Sequence, residues 1–224
     1  MTQLRGRVRS KAIEKRQRIL DSAAKILAAK GYAGLTIQEV ADEVGMYAPN
    51  IHYYFPSKDD LIGEVLKTAI LSLQWRFKET LDRLPPGTPH LERIRQSIRA
   101  IVRIHTSPDH FAIAYVRVYK QLPKPLAEDV KRHRTVLRKF WRDLFIGAQR
   151  AGELSPDVDV KLLGFMAVGA THWVSNWYKP DGHLTPERIA DAFTDVLLYG
   201  ATQKRPAAQS QPAGTRNLKP VRKA

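Results

Sequence analysis

The chain has 224 residues, 43% hydrophobic content and a formal net charge of +15. That length builds one core, or a small domain beside a larger one, and the apolar content supports a globular fold. With no cysteine in the chain, disulfides, thiolate metal sites and thiol catalysis are excluded. The charge sits at the ends. Residues 1–18 hold seven Lys/Arg against one acid, residues 202–224 hold six against none, and the body between them carries about +3. An N-terminal basic run suits contact with a polyanion. The C-terminal run, rich in Pro, Ala and Gln, reads as disordered. The charged N-terminus has no apolar core of signal-peptide length, and the longest apolar stretch, Leu162–Ala170, is too short to span a bilayer. A soluble, cytoplasmic protein without membrane contact is expected.

In chain order the pattern is helical throughout, without period-two strands or hairpin signals. A first helix is expected from Lys11 or Glu14 to Lys30, with Ile19, Ala23, Ile26 and Leu27 inward and Gly31 as its stop. Thr36 followed by Glu39 is a capping box that opens a second helix. Ile37, Val40, Ala41 and Val44 form its apolar face, and Gly45 supplies the left-handed residue that ends it. A short third helix follows over about Ala48–Tyr54, with Ile51 and Phe55 inward. Ser57 with Asp60 caps a long fourth helix running to about Leu84, before a Pro/Gly break. Further helices are expected over Leu91–Thr106, Asp109–Gln121, Ala127–Ala151 and Asp157–Tyr178. After a turn at 179–184, Thr185 caps the last, with Pro186 at its first position and Gly200 at its end. That makes about nine helices.

Leu35–Leu61 carries the clearest functional signal. Two short helices turning on a glycine, with small Ala41 four residues before Gly45, have the logic of a helix-turn-helix that reads DNA. The exposed residues of its second helix, Tyr47, Ala48, Pro49, Asn50 and His52, are the ones able to enter a major groove. Asn50 can pair bidentately with adenine, and Ala48 or Pro49 can pack on a thymine methyl. Thr36 sits at a helix N-terminus, where phosphates bind. Three consecutive aromatics cannot all point inward, so Tyr53 is read as outward and Tyr54 and Phe55 as core.

The order AAxxLxxxGYxxxT, helix-turn-helix, YYFxSKxxL, over about residues 15–66, resembles the N-terminal domain of the TetR family of one-component transcriptional regulators. The resemblance implies an all-α fold: an N-terminal three-helix helix-turn-helix DNA-binding domain followed by a larger helical ligand-binding and dimerisation domain. It implies phosphate contacts from Tyr53 and Lys58. The boundaries expected are a basic disordered arm at 1–10, the DNA-binding domain at 11–57, the helical domain at 58–201 and a basic disordered tail at 202–224.

The rest of the chain holds no GxSxG, HExxH, phosphate loop or glycine-rich dinucleotide fingerprint. No catalytic residue, metal or cofactor is assigned, and His105 and His110, five apart across Pro108, make a poor metal pair. The middle helices are rich in aromatics. Trp75, Phe111, Tyr115, Tyr119, Phe140 and Trp141, with Phe165 and His172, are expected to line a pocket, though aromatics at this spacing also serve as plain core. His172–Phe193, HWVSNWYKPDGHLTPERIADAF, is similar to the C-terminal region of family members that answer to acyl-CoA thioesters. Arg117, Lys120, Arg134, Arg138 and Arg142 are available cations for the CoA phosphates. Small residues at Leu163, Gly164, Ala167 and Thr171, with Ala192, Val196 and Tyr199 on the last helix, point to a four-helix homodimer interface, or to close internal packing.

The expected function is a ligand-responsive repressor, not an enzyme. It would hold a palindromic operator in double-stranded DNA as a homodimer and release it to a small apolar effector, with an acyl-CoA thioester as the leading class. The alternatives are an architectural or ligand-independent DNA-binding protein and a regulator answering to another hydrophobic or aromatic molecule. An activator is equally compatible with the residues.

Overall fold

The computed structural model describes the backbone of residues 2–202 and the side chains of residues 10–199. Nine helices and no strand are found among the described residues: α1 Thr2–Gly34, α2 Ile37–Val44, α3 Ala48–His52, α4 Lys58–Asp82, α5 His90–Thr106, α6 His110–Val118, α7 Lys124–Arg150, α8 Val160–Trp177 and α9 Pro186–Thr202. Helix α1 begins at Thr2, so the backbone of the segment expected to be an irregular arm is continuous with the first helix. The tail expected at 202–224 lies outside the described residues from 203 onward.

Local chemistry accounts for the boundaries. The Thr36 hydroxyl accepts from the Glu39 N–H at 3.1 Å, Ser57 does the same for Asp60 at 3.1 Å, and the Asp109 carboxylate accepts from Phe111 and Ala112 at 3.0 and 3.3 Å. Each satisfies amides that a helix start leaves unpaired. The capping box is one-sided: the Glu39 carboxylate turns to Lys30. Gly31, expected as the stop of the first helix, breaks it at φ 73°, but α1 resumes beyond it and runs to Gly34. Gly200 does not end α9, which continues to Thr202.

Two main clusters of buried side chains organise these helices. The first joins α1, α2, α3 and the N-terminal half of α4 to Ala114, Tyr115 and Val118 of α6 and Val130 of α7. The second joins the distal part of α4 to α5, α7, α8 and α9. The helix-turn-helix head therefore shares its core with α6 of the larger domain. Along α5, Arg95, Arg99 and Arg103 recur every fourth residue and meet Asp195, Asp191 and Glu187 of α9 at 2.8, 2.7 and 3.0 Å. That ladder fixes the rotation of α9 and leaves Ala192, Val196 and Tyr199 on an exposed stripe.

Candidate nucleic-acid interface and ligand cleft

The head is built as its sequence pattern requires. Val40, Ala41 and Ile51 are fully buried, and Gly45 caps α2 at φ 68° with its N–H on the Ala41 and Asp42 carbonyls. A Cβ at Gly45 would meet nothing within 4 Å. The left-handed backbone, not close approach, is what demands glycine there. With Ile51 as the anchor, α3 turns Pro49, Asn50 and His52 to solvent, while Tyr47 and Tyr53 are 82% and 85% exposed. Phe55 is buried and Tyr54 half-buried, so the three aromatics divide as expected.

Ala48 departs from its expected role: it is half-buried against the first core, which limits its reach toward a base. His52 Nδ1 lies 3.0 Å from the Pro56 carbonyl. A carbonyl can only accept, so Nδ1 carries the proton and Nε2 is left as an acceptor. Thr36 is exposed, and although its oxygen caps α2, its own proton remains to donate. Lys58 lies 4.8 Å over the Tyr32 ring, and the Tyr32 hydroxyl donates to Asp59 at 2.7 Å. These contacts position the ammonium at the start of α4.

Not every N-terminal cation is left for DNA. Arg16 pairs with Glu64 at 3.3 Å and stacks over Phe55 at 4.7 Å, while Arg18 donates to the Val44 carbonyl at 3.0 Å. Those two hold α1 to α4 and α2. The sequence carried no signal for this division of labour.

The main cleft, about 660 Å³, lies between α6, α7 and α8. Of the residues expected to line it, Tyr119, Phe165 and His172 do. Tyr115 is buried next to the cleft, stacked on Tyr119 at 5.8 Å and edge-on to His172 at 6.1 Å. The other assignments need correcting. Trp75 is 61% exposed on α4 and reaches neither cleft. Phe111 packs against the first core. Trp141 is buried in the second core, edge-on to Phe77. Phe140 stacks on Phe77 at 4.5 Å and lines a separate cleft of about 250 Å³ between α4, α5 and α7. Position along α7 explains both: Trp141 shares the Arg134 face but sits about two turns further on, against Gly164 of α8 and past the main cleft, while Phe140 turns to α4.

Arg117, Lys120 and Arg134 bring positive charge to the main cleft, with Arg134 4.8 Å over the Tyr119 ring. Arg138 and Arg142 do not line it. Burial, and then the Arg134 charge, lower the His172 pKa to about 4, so the ring is neutral at physiological pH. Two of the lining residues also reach the head, a role the sequence did not signal. Arg117 donates to the Ala28 carbonyl at 2.9 Å, and Gln121 accepts from the Tyr32 N–H at 3.2 Å. Both bonds cross to the end of α1, where Gly31 breaks the helix.

The proposed interface residues on α8 are corrected as well. Leu163, Ala167 and Thr171 are buried within the protomer, and Thr171 donates to the Ala167 carbonyl at 2.7 Å. Gly164 backs onto Trp141, where an added Cβ would lie 3.8 Å from the Trp141 Cβ. The small residues of α8 serve close internal packing. The exposed large apolar residues of α8 are Leu162, Phe165, Met166 and Trp173, from 53% to 66% exposed, and Trp177 at 38%.

Among the described residues, no group of three or more acidic, His or Cys side chains could hold a metal, and no helix is long and apolar enough to cross a membrane. A helix-turn-helix head fused through a shared core to a larger all-helical body is the architecture of a DNA-binding regulator. Residues 19–65 match the family described as bacterial regulatory proteins, tetR family, and residues 87–201 match the tetracyclin repressor-like C-terminal domain. The chain belongs to the TetR family of transcriptional regulators.

The HTH-type transcriptional repressor KstR2 of Mycolicibacterium smegmatis is 29% identical over 202 residues, covering 88% of this chain and 95% of the relative. The Mycobacterium tuberculosis protein of the same name is 27% identical over 203 residues, covering 88% and 98%. The fold is shared with the solved structure of that M. tuberculosis KstR2, a ketosteroid transcriptional regulator (TM-score 0.71, 24% identity, 84% of this chain and 95% of that one). It is shared too with AibR in complex with isovaleryl coenzyme A and operator DNA (TM-score 0.73, 24% identity, 82% and 98%).

Proposed function

We propose that this protein is a homodimeric transcriptional repressor that holds a palindromic operator through α3 and releases it when an acyl-CoA thioester fills the main cleft. The observation that carries this reading is the cleft itself. It combines an aromatic inner side formed by Tyr119, Phe165 and His172 with cations at Arg117, Lys120 and Arg134, and two of its lining residues bond directly to α1. An apolar wall suits an acyl chain, and guanidinium and ammonium groups suit phosphates. The relatives named as KstR2 repressors support the sign of the regulation, and the AibR complex with isovaleryl coenzyme A and operator DNA supports the ligand class.

Dimerisation follows from the exposed apolar stripe of α9 (Ala192, Val196 and Tyr199) beside Leu162, Met166 and Trp173 of α8. A patch of this kind on a soluble protein marks an interaction surface, and a two-fold protein matches a palindromic operator. The ligand acts by favouring a conformation whose two heads no longer match the half-site spacing, which needs only unequal affinity for the two states.

The test is titration of a labelled operator complex with acyl-CoAs of increasing chain length, the matching free acids, and CoA alone. Affinity should rise with chain length, at about 0.8 kcal/mol per buried methylene until the cleft is full. Free CoA and free acids should act only at much higher concentration. Release by an unrelated aromatic compound and by no acyl-CoA overturns the ligand class.

A further inference from the structure

His105, in the last turn of α5, is 3% exposed, and neither of its ring nitrogens has a hydrogen-bond partner. A neutral imidazole carries one donor and one acceptor. Burying both unpaired forfeits their hydration with nothing in return. A phenyl ring would fill the same space without that loss, so imidazole is a poor choice for packing alone.

Its neighbour gives the pair a use. The His172 ring stands edge-to-face with His105 at 4.9 Å between centroids, and His172 lines the main cleft. An N–H···N bond at roughly 2.9 Å places two imidazole centroids about 5.2 Å apart. Ring rotation therefore suffices to join the two in series. Burial, the larger cause, and His172 beside it lower the His105 pKa to about 3, so both rings are neutral and act as hydrogen-bonding groups rather than as charges.

His172 also marks a boundary. It is edge-on to the aromatic Tyr115 and close enough to Arg134 to feel its charge. An acyl-CoA carries its thioester where the chain ends and the pantetheine arm begins, well short of the phosphates, so a neutral donor set among the aromatics that hold the chain is placed to meet the thioester.

We infer that His172 donates a hydrogen bond to the thioester carbonyl of the bound ligand, and that His105 donates to His172, fixing its tautomer and orientation. This inference rests on the acyl-CoA reading of the cleft. In the bound state the outer nitrogen of His172 carries the proton, and its inner nitrogen accepts from His105. His172 is the contact residue and His105 the positioning residue. Bonds in such a chain strengthen one another.

The probe is decanoyl-CoA set against S-decyl-CoA, a thioether that keeps the nucleotide and the chain length and replaces the carbonyl with a methylene. Calorimetry on the wild-type dimer should show the thioester binding at least tenfold more tightly. His172→Phe and His105→Phe should each bring that ratio close to one. His105→Phe should also melt at a higher temperature in the absence of ligand, because an unpaired buried polar ring is removed. An independent readout needs no variant. In wild-type protein with ¹⁵N-labelled histidine, decanoyl-CoA should convert one His105 nitrogen and both His172 nitrogens to hydrogen-bonded states, and S-decyl-CoA should not. Equal binding of the two probes, with operator release by both, overturns this inference and leaves the acyl-CoA reading intact. Binding of neither overturns both. A His105→Phe variant that keeps the thioester preference, or melts lower, reduces His105 to a packing residue.

Discussion

At the scale of single residues, the two kinds of DNA contact proposed for the α2–α4 face can be told apart by mutagenesis. Lys58 is held over Tyr32 at the start of α4, away from the base-reading residues of α3. Removing a phosphate contact weakens all sequences alike, so Lys58→Ala should lower affinity for operator and random DNA together and reduce the salt slope by about one. Asn50 is exposed on α3. Its loss should relax selectivity at one base pair by roughly 1–3 kcal/mol and leave the salt slope unchanged. Fluorescence anisotropy with operator and scrambled duplexes at several salt concentrations reads both, and wild-type behaviour of both variants would show that the face is wrongly assigned. The buried histidines give a second residue-scale expectation. Unfolded, they titrate near 6.5, about the ordinary value. Folded, burial holds their pKa values at about 3 for His105 and about 4 for His172. Protons therefore bind the unfolded chain first. Stability is fully present above the unfolded value and is lost as pH falls from there toward the folded values, by about 1.4 kcal/mol per unit for each histidine. Urea unfolding at pH 7 and pH 5 should show the loss, and His105→Phe should remove one increment of it.

At the scale of elements, the exposed stripes of α8 and α9 should control assembly. Met166 and Val196 are 57% and 78% exposed and make no part of either core. Met166→Glu with Val196→Glu should leave the fold intact and abolish the dimer in sedimentation velocity; an intact dimer would rule out this surface. A charge at buried Ala167 would instead disrupt the protomer itself. That reversal shows where sequence reading reaches its limit. The starts of α2, α4, α6 and α9 were legible because Thr36, Ser57, Asp109 and Thr185 satisfy helix amides within three residues of themselves. The outward set of α3 was legible because that helix has one buried anchor, Ile51, which fixes the other side chains by phase. Helix α8 offered no such phase. Apolar and small residues run almost all round it, and periodicity alone could not say that Leu163, Ala167 and Thr171 face inward. The ladder from Arg95, Arg99 and Arg103 to α9, which settles the orientation of α9, joins residues 84 to 100 apart in sequence and left no local trace. The cleft was legible only as a class of residue: Tyr119, Phe165 and His172 were found as aromatics, while Arg117 and Gln121 acquire their roles from the packing of α6 on α1.

At the scale of the whole molecule, the proposed release of the operator needs a signal from the cleft to the head, and the shared core offers α6 as its physical route. Ala114, Tyr115 and Val118 of α6 are buried in the same cluster as Ile19, Ala23 and Leu27 of α1. At the end of that contact Gln121 accepts from the Tyr32 N–H at 3.2 Å and donates to the Arg117 carbonyl at 3.1 Å, while Arg117 donates to Ala28 at 2.9 Å. Gln121 and Arg117 also line the cleft, so a ligand that moves either side chain strains a bond to α1. The receiving backbone is ready to bend, because Gly31 already breaks the helix at φ 73° next to the Tyr32 amide. Coupling between two sites is a free energy, of typically 1–3 kcal/mol, and it is reciprocal: ligand must weaken operator binding by the same factor that operator weakens ligand binding. Gln121→Ala should therefore leave operator affinity without ligand, and ligand affinity without operator, within about threefold of wild type. It should cut the mutual weakening in both directions, by about fivefold or more if this bond carries a typical share of the coupling. Operator dissociation constants with and without saturating decanoyl-CoA, and ligand constants with and without operator, close the thermodynamic square. A variant that binds both partners normally and retains the full wild-type coupling factor would show that the signal bypasses the Gln121–Tyr32 bond, leaving the α4 and α6 packing of the first core as the route between cleft and head.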